Sequence, residues 1–395
     1  MNMELKELNT PCFIFKEKEF QDNIENFQRV LYKYFSKSII GYSFKTNSLP
    51  YILAKAKTAG CFAETVSDTE YQLAQRIGYQ PEQIIFNGPV KSKRQFLKAF
   101  QEGSIINIDS DREIVWLKEC AECGIQGTIG IRVNIDLEKL LPGQTSMGDE
   151  GGRFGFSDET GRLHEVIHEI MQMRGIRIAG LHMHVSSKSK SKEVYEKLAN
   201  RACEIARKEG IALQYLDIGG GFFGGGDCGE SYEKYIKTIY ETLKNHKMEK
   251  LTLIVEPGAA VVATALDYRC KVLDVKETNR NRFIVTNGSR LHIDPFFHKD
   301  KYSYDLDTTS RHEMKSQVIC GYTCMENDRL MKLKNEMELF PGDYITYQIV
   351  GSYTMTFNPL FIEYLPAVYT KKADGYEMVR EKWGVEEYLQ KSKWE

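Results

Sequence analysis

The sequence predicts an α/β fold: a (β/α)8 TIM-like barrel followed by a β-rich domain of sandwich or barrel type. Two observations carry that prediction. Between residues 39 and 258, eight short apolar runs alternate with amphipathic helical segments. Strands alternating with helices form parallel βα units, and eight such units close a barrel. After about residue 265 the alternation stops, and short β-like runs follow one another without long helices between them. A chain of 395 residues also exceeds one ordinary core. The expected division is a barrel over residues 33–265 and a β-rich domain made of residues 1–32 plus 266–395.

In chain order, residues 10–15 (Thr-Pro-Cys-Phe-Ile-Phe) read as a first strand that joins the β-rich domain. A helical pattern follows through Phe20, Ile24, Phe27, Val30 and Leu31. The barrel strands are expected at 39–46, 62–67, 84–88, 105–109, 127–134, 178–187, 213–221 and 252–258. The later runs are Lys271–Val275, Phe283–Thr286, Gln317–Tyr322, Asp343–Ser352 and Phe361–Tyr369. From Val379 the tail reads as a charged, peripheral helix. The loop 141–152 is Gly-rich and polar. It suits either a cover over a substrate or a plain surface excursion.

Composition narrows the function classes. The chain is 42% apolar and 27% charged, as soluble globular proteins are. Net charge is −2, from 53 basic and 55 acidic residues, so no basic field draws nucleic acid or an anionic membrane. No apolar run approaches the ~20 residues of a membrane helix. Met1 to Thr10 is polar and mixed in charge, so no signal peptide is expected. Nine scattered cysteines read as reduced thiols, and a cytoplasmic location is expected. Cys120 and Cys123 form a lone CxxC, read as two thiols rather than zinc; no metal site is expected.

In a barrel of this kind the chemistry gathers at the C-terminal strand ends. Four ends carry unusual residues. The first run, Ile39–Phe44, is followed by Lys45; a partly desolvated lysine there is an amine nucleophile able to hold a carbonyl cofactor. The sixth reads Gly180-Leu181-His182-Met183-His184-Val185-Ser186-Ser187. The seventh ends Asp217-Ile218-Gly219-Gly220-Gly221-Phe222, whose bare backbone suits a phosphate. The eighth ends Val255-Glu256-Pro257-Gly258. Taken singly, each has a plainer explanation: a surface lysine, a core histidine, a tight turn. Jointly, a lysine, a phosphate cradle, a flat imidazole and a carboxylate fit pyridoxal phosphate.

The chain resembles the fold-type III pyridoxal-phosphate decarboxylases, the family of diaminopimelate, ornithine and arginine decarboxylases. The resemblance runs from Thr10-Pro11 to about Pro366. Tyr42-Ser43-Phe44-Lys45-Thr46-Asn47 is similar to the Schiff-base segment Y-A-x-K-A-N, and Ala63 to Glu70 to A-D-V-V-S-G-G-E. Arg153-Phe154-Gly155 resembles [RK]-F-G, and His182 to Ser187 resembles H-x-H-x-G-S with Ser186 in place of glycine. Gly219 to Phe222 and Glu256-Pro257-Gly258 match the phosphate loop and the ring-nitrogen motif. Gly321 to Asp328 resembles G-P-x-C-[ED]-x-x-D, and Gly351-Ser352-Tyr353 resembles G-A-Y.

The resemblance implies a carboxy-lyase with pyridoxal 5'-phosphate on Lys45. It implies that His184 stacks on the ring and Glu256 binds its nitrogen. Ser187, Gly220, Gly221, Gly258 and Tyr353 would hold the phosphate. Cys324 would sit in the site of a neighbouring subunit of a homodimer and help return a proton to the substrate carbon. A carboxylate at the ring nitrogen, where the related alanine racemases have arginine, implies decarboxylation rather than racemisation.

The departures concern the substrate. The family's E-P-G-R is here Glu256-Pro257-Gly258-Ala259. The R-P-x-x-Y segment of diaminopimelate decarboxylases corresponds to Asp294-Pro295-Phe296-Phe297-His298, and the acid after the motif cysteine is Met325. Without these partners a buried distal carboxylate costs several kcal/mol, so a substrate other than meso-diaminopimelate is expected. Asp294 or Glu326 is then a candidate to receive a substrate amine. The alternatives are an ordinary diaminopimelate, ornithine or lysine decarboxylase, or a non-catalytic inhibitor-type homologue. Retention of Lys45, His184, Glu256 and Cys324 argues against the last.

Overall fold

The computed structural model describes residues 3–189, 191–224 and 232–394. The chain forms two compact units, Gln21–Val261 and Met1–Phe20 with Val262–Glu395. The division therefore falls at 20/21 and 261/262 rather than at the expected 33 and 265. Most of the helix Glu17–Tyr34 goes with the barrel, because Phe27 packs on Phe222 (5.3 Å) and Tyr232 (4.4 Å).

In the first of these units eight parallel strands close a ring: β1 (Ser38–Ser43), β2 (Phe62–Thr65), β3 (Ile84–Phe86), β4 (Ile105–Ile108), β5 (Gly127–Asn134), β6 (Ile176–His182), β7 (Tyr215–Asp217) and β8 (Thr252–Val255). Pairing of β8 with β1, Leu253 opposite Ser38, joins the two ends of the order. The strands are continuous apolar runs because both faces are covered, the inner by Ile85, Ala179, Tyr215 and Ile254. The helix Asp68–Ile77 starts on a side-chain cap. Ser67 accepts from Glu70 N (3.2 Å) while the Glu70 carboxylate accepts from Val66 N (2.8 Å), so part of the Ala63–Glu70 motif is a helix start. Beyond the end of β3, the fully buried Lys91 is matched by Glu113 at 2.8 Å and by the carbonyls of Gly88 and Asn107.

Several strands stop short of the expected ends, the eighth at Val255 rather than at residue 258. The first strand stops at Ser43, and Lys45 lies in a 3-10 turn, Phe44–Thr46. The seventh stops at Asp217, since Gly219 (φ +71°) and Gly221 (φ +87°) adopt left-handed backbone that no strand contains. The sixth stops at His182, leaving His184 in the following loop.

The second unit is a nine-stranded sheet. Its main path runs through 329–333, 317–320, 282–286, 266–277, 12–15, 367–372 and 375–380. The first strand, Cys12–Phe15, pairs antiparallel with 266–277 and parallel with 367–372, as a strand joining this domain should. Strand 344–348 adds to 266–277 and carries 303–307. The expected run Phe361–Tyr369 begins as strand only at Ala367. Val379 lies in the strand Gly375–Arg380, and the tail's helix is the short Val385–Leu389.

His292 sits in this unit's core, 2% exposed, with Nδ1 against the Tyr268 hydroxyl and Nε2 3.4 Å from that of Tyr322. Burial, then the charges of Lys382 and Arg380, push its pKa down to about 3. Between that value and the ordinary ~6.5 the unfolded chain holds a proton the folded chain lacks, so stability is lost as pH falls below ~6.5. Each pH unit in that window costs up to about 1.4 kcal/mol. Thermal melts at pH 7.5 and 5.5 should show the drop. A His292→Gln protein should show a smaller difference between the two melts, and an unchanged difference would refute the assignment.

Candidate active site

At the C-terminal ends of the barrel strands a connected set of polar side chains gathers. Lys45 Nζ lies 2.6 Å from Glu64 Oε2, at the end of β2. The Glu64 carboxylate, 1% exposed, also accepts from Ser43 Oγ (2.7 Å) and Asn87 Nδ2 (3.1 Å). The same Asn87 nitrogen donates to Glu256 Oε1 at 2.6 Å. Asn107 Nδ2 bridges Asn87 Oδ1 (2.9 Å) and Asp217 Oδ2 (3.0 Å), and its own oxygen accepts from the Tyr215 hydroxyl (3.0 Å). His182 Nε2 stands 3.5 Å from Glu256 Oε2. One network thus joins the ends of β1, β2, β3, β4, β6, β7 and β8.

Its electrostatics are sorted by burial and neighbours. Burial works against the Glu256 charge, yet His182 and Lys45 hold its carboxyl below the usual range. Asp217 goes the other way: burial and the Glu256 charge raise it well above an ordinary aspartate. Two adjacent buried carboxyl groups separate in this way because both cannot ionise at once. His184, half-buried, is pushed down to about 3 by burial and then by the Arg132 guanidinium, so its imidazole is neutral.

The glycines explain how the loops close in. A Cβ on Gly219 would lie 2.5 Å from the His184 ring, and one on Gly220 2.4 Å from the Glu256 carbonyl oxygen. A Cβ on Gly258 would lie 2.0 Å from Thr46 Oγ1, whose buried hydroxyl has no hydrogen-bond partner among the described residues. Bare backbone and an unpaired hydroxyl beside Lys45 make a cradle for an anion.

A cavity of about 600 Å³ lies beside His184, lined by Arg132, Asp136, Glu138, Met147 and Arg153 among others. The 141–152 loop forms one wall. Ser146 N donates to Ser186 O (3.1 Å), Lys188 N to Gln144 O (2.8 Å) and Ser186 Oγ to Ser146 Oγ (3.0 Å). The serine that replaces the family's glycine at 186 is therefore one of the ties that fasten this wall.

Lys45, His184, Gly220, Gly221, Glu256 and Gly258 come together in the barrel, and Ser187 lies three residues beyond His184. Cys324, Met325, Glu326, Asp294 and Tyr353 belong to the β-rich unit. There Cys324 is an exposed thiol, Glu326 is 98% exposed and meets only Arg329 at 3.3 Å among the described residues, and Tyr353 has a left-handed backbone (φ +54°). Asp294 does not fit the role of substrate acceptor. Its buried carboxylate takes Arg290 through Nε (2.9 Å) and Nη2 (2.8 Å) and the backbone of His298 and Lys299. Sequence reasoning missed Asn87 and Asn107 as site residues. The signal was a lone polar residue inside an apolar barrel strand or at its end.

These features match the needs of pyridoxal phosphate: a lysine side chain 41% exposed with its amine beside a buried carboxylate, a neutral imidazole, an anion cradle and a second buried carboxylate held charged. Comparison with known proteins agrees. The family model for the pyridoxal-dependent decarboxylases, pyridoxal-binding domain, matches residues 19–263. The probable chloroplastic diaminopimelate decarboxylase of Oryza sativa is 26% identical over 93% of this chain and 76% of its own length. The diaminopimelate decarboxylase of Methanocaldococcus jannaschii is 26% identical, covering 89% of this chain and 84% of its own. The crystal structure of that archaeal enzyme superposes with a TM-score of 0.88 over 99% of this chain and 93% of its own, at 21% identity. No helix among the described residues is long and apolar enough to cross a membrane. With its barrel, its β-rich second unit and a family match over most of the barrel, the chain belongs to the pyridoxal-dependent decarboxylases, carboxy-lyases that work through pyridoxal phosphate.

Proposed function

We propose that the protein removes the α-carboxylate of an amino acid, or of an amino-acid conjugate, whose tail differs from that of meso-diaminopimelate, in a biosynthetic pathway. Pyridoxal phosphate supplies an aldehyde for the amine and a protonated ring that accepts the electron pair left by carbon dioxide. Lys45 holds the cofactor covalently, and His184 lies on its ring face. Ser187, Gly220, Gly221, Gly258 and Tyr353 receive the phosphate, and Cys324 returns a proton to the substrate carbon. Glu256 carries the choice of reaction: a carboxylate held charged keeps a proton on the ring nitrogen and deepens the electron sink.

The substrate assignment rests on what is absent around a distal carboxylate. Ala259 and Met325 bring no charge, and Asp294 is engaged by Arg290. Glu326 remains to meet a substrate amine. The second reading, an ordinary diaminopimelate decarboxylase, is favoured by the names of relatives that cover 89–93% of the chain.

Carbon dioxide release by the cofactor-loaded protein separates the two. With meso-diaminopimelate, L-ornithine, L-lysine and L-arginine side by side, diaminopimelate should be turned over at least about 100-fold more slowly than by a dedicated enzyme. That factor corresponds to an unpaired carboxylate costing about 3 kcal/mol. Fast turnover of diaminopimelate would establish the second reading.

The same proposal includes a cytoplasmic homodimer with shared sites. The β-rich unit exposes Phe296, Tyr353, Phe357, Leu360, Phe361 and Ile362, with the Phe296 and Phe357 rings 4.9 Å apart. A group of exposed apolar side chains this size marks an interaction surface. The eight described cysteines are free thiols.

A further inference from the structure

Outside the active site, one more set of ligating side chains converges among the described residues. The helix Arg162–Met171 carries His164 and His168 one turn apart, their ring centroids 4.3 Å from each other. The helix Lys192–Glu209 ends on Glu209, whose Oε2 lies 2.7 Å from His164 Nδ1 and 3.3 Å from His168 Nε2. The carboxylate side chain is 5% exposed, whereas the imidazoles are 51% and 54% exposed. We infer that His164, His168 and Glu209 form a binding site for a borderline divalent cation of the zinc class, clamping the first of these helices to the end of the second.

The geometry admits an ion as well as hydrogen bonds. Two ring nitrogens aim at one carboxylate oxygen, and all three ligand atoms lie within 4.8 Å of one another. Zinc holds nitrogen and oxygen ligands at about 2.0–2.2 Å, which puts neighbouring tetrahedral ligands roughly 3.4 Å apart. The His168–Glu209 separation of 3.3 Å already meets that spacing, and the 2.7 Å of His164 needs a small opening. Two imidazoles with one carboxylate select zinc, nickel or copper over magnesium and calcium, which prefer oxygen ligands. The half-exposed rings leave room for water at the remaining coordination positions. Lys208 Nζ, 3.4 Å from Glu209 Oε1, engages the other carboxylate oxygen. The sequence hides the site because Glu209 stands 41 residues beyond His168 and on another helix.

The test is a titration of the cofactor-loaded, metal-free protein with zinc chloride under a phosphine reductant. The His164→Ala, His168→Ala and Glu209→Gln proteins are run alongside, so that binding by cysteines or cofactor phosphate cancels in the difference. The wild type should bind one more equivalent per chain than each histidine variant, or bind it at least tenfold more tightly, and its melting temperature should rise with zinc while theirs does not. Magnesium should give no such difference. Decarboxylase activity should be unchanged in all three variants. Identical zinc isotherms and melting shifts in wild type and both histidine variants would overturn the site. The half-exposed histidines leave those variants folded, which circular dichroism verifies. This outcome is independent of which amino acid the enzyme decarboxylates.

Discussion

Lys45→Ala protein, purified and mixed with pyridoxal phosphate, should show neither decarboxylation nor the absorption band near the visible edge that a lysine-bound cofactor gives. Lys45 combines reach with close pairing. Its side chain is 41% exposed, yet its amine lies 2.6 Å from a carboxylate that is 1% exposed. The buried partner Glu64 is itself fixed by Ser43 and Asn87, so the amine is steered while its tip stays accessible. Lys45→Arg, which keeps the charge beside Glu64 but offers no condensing amine, should be equally colourless and inactive. A band that survives dialysis in either variant would place the attachment on another lysine. Under the proposed dimer with shared sites, Lys45→Ala and Cys324→Ala subunits, each poorly active alone, should regain about a quarter of the wild-type rate when mixed and allowed to exchange. Half of randomly paired dimers are mixed, and each of these carries one complete site. No recovery after verified exchange would argue that Cys324 serves its own subunit.

Much of this molecule was legible before its structure. The eight barrel strands stood out because parallel strands buried on both faces are uninterrupted apolar runs. The short strands 303–307 and 329–333 did not: the first, Ser-Tyr-Asp-Leu-Asp, has no fully buried position, and the second, Arg-Leu-Met-Lys-Leu, is broken by charges. Lys45, His184, Glu256 and the glycines were visible as oddities at strand ends, where barrel chemistry resides. Their exact frame was not. Strand β1 ends two residues before Lys45, because the chain turns there into the Phe44–Thr46 helix. The asparagines that link the site were hidden by distance. Asn87 and Asn107 lie 169 and 110 residues from Glu256 and Asp217, the carboxylates they bind. Asp294 misled because an acid beside proline looks available in sequence, whereas Arg290 one turn earlier donates twice to one of its oxygens.

Glu256→Gln should lower kcat by about 10²- to 10³-fold, the range seen when one preorganised charge-stabilising group is removed. The two side chains have the same shape, so the loss does not come from a change of size. The amide meets the network in an awkward way as well. Asn87 Nδ2 donates to Oε1 and His182 Nε2 faces Oε2, so whichever end the Gln amine takes, it confronts a group that the carboxylate oxygen had accepted from or paired with. Without the Glu256 charge, one of the causes that raise Asp217 disappears, and Asp217 should ionise more easily in the variant. Asp217→Asn should therefore cost less than Glu256→Gln in the wild-type background. In combination the two losses should be non-additive, because the groups share one buried network. Titration of Glu256 itself leaves no mark near neutrality. Its folded pKa lies below the ordinary ~4.5, so its charge and the stability that charge brings are present above ~4.5 and fade only as pH falls further. The kcat profile between pH 6 and 9 should accordingly show no step from this group. A Glu256→Gln enzyme with wild-type kcat across that range would mean that the ring nitrogen is not held by Glu256, and the assignment of decarboxylation to a carboxylate-supported ring would fall with it.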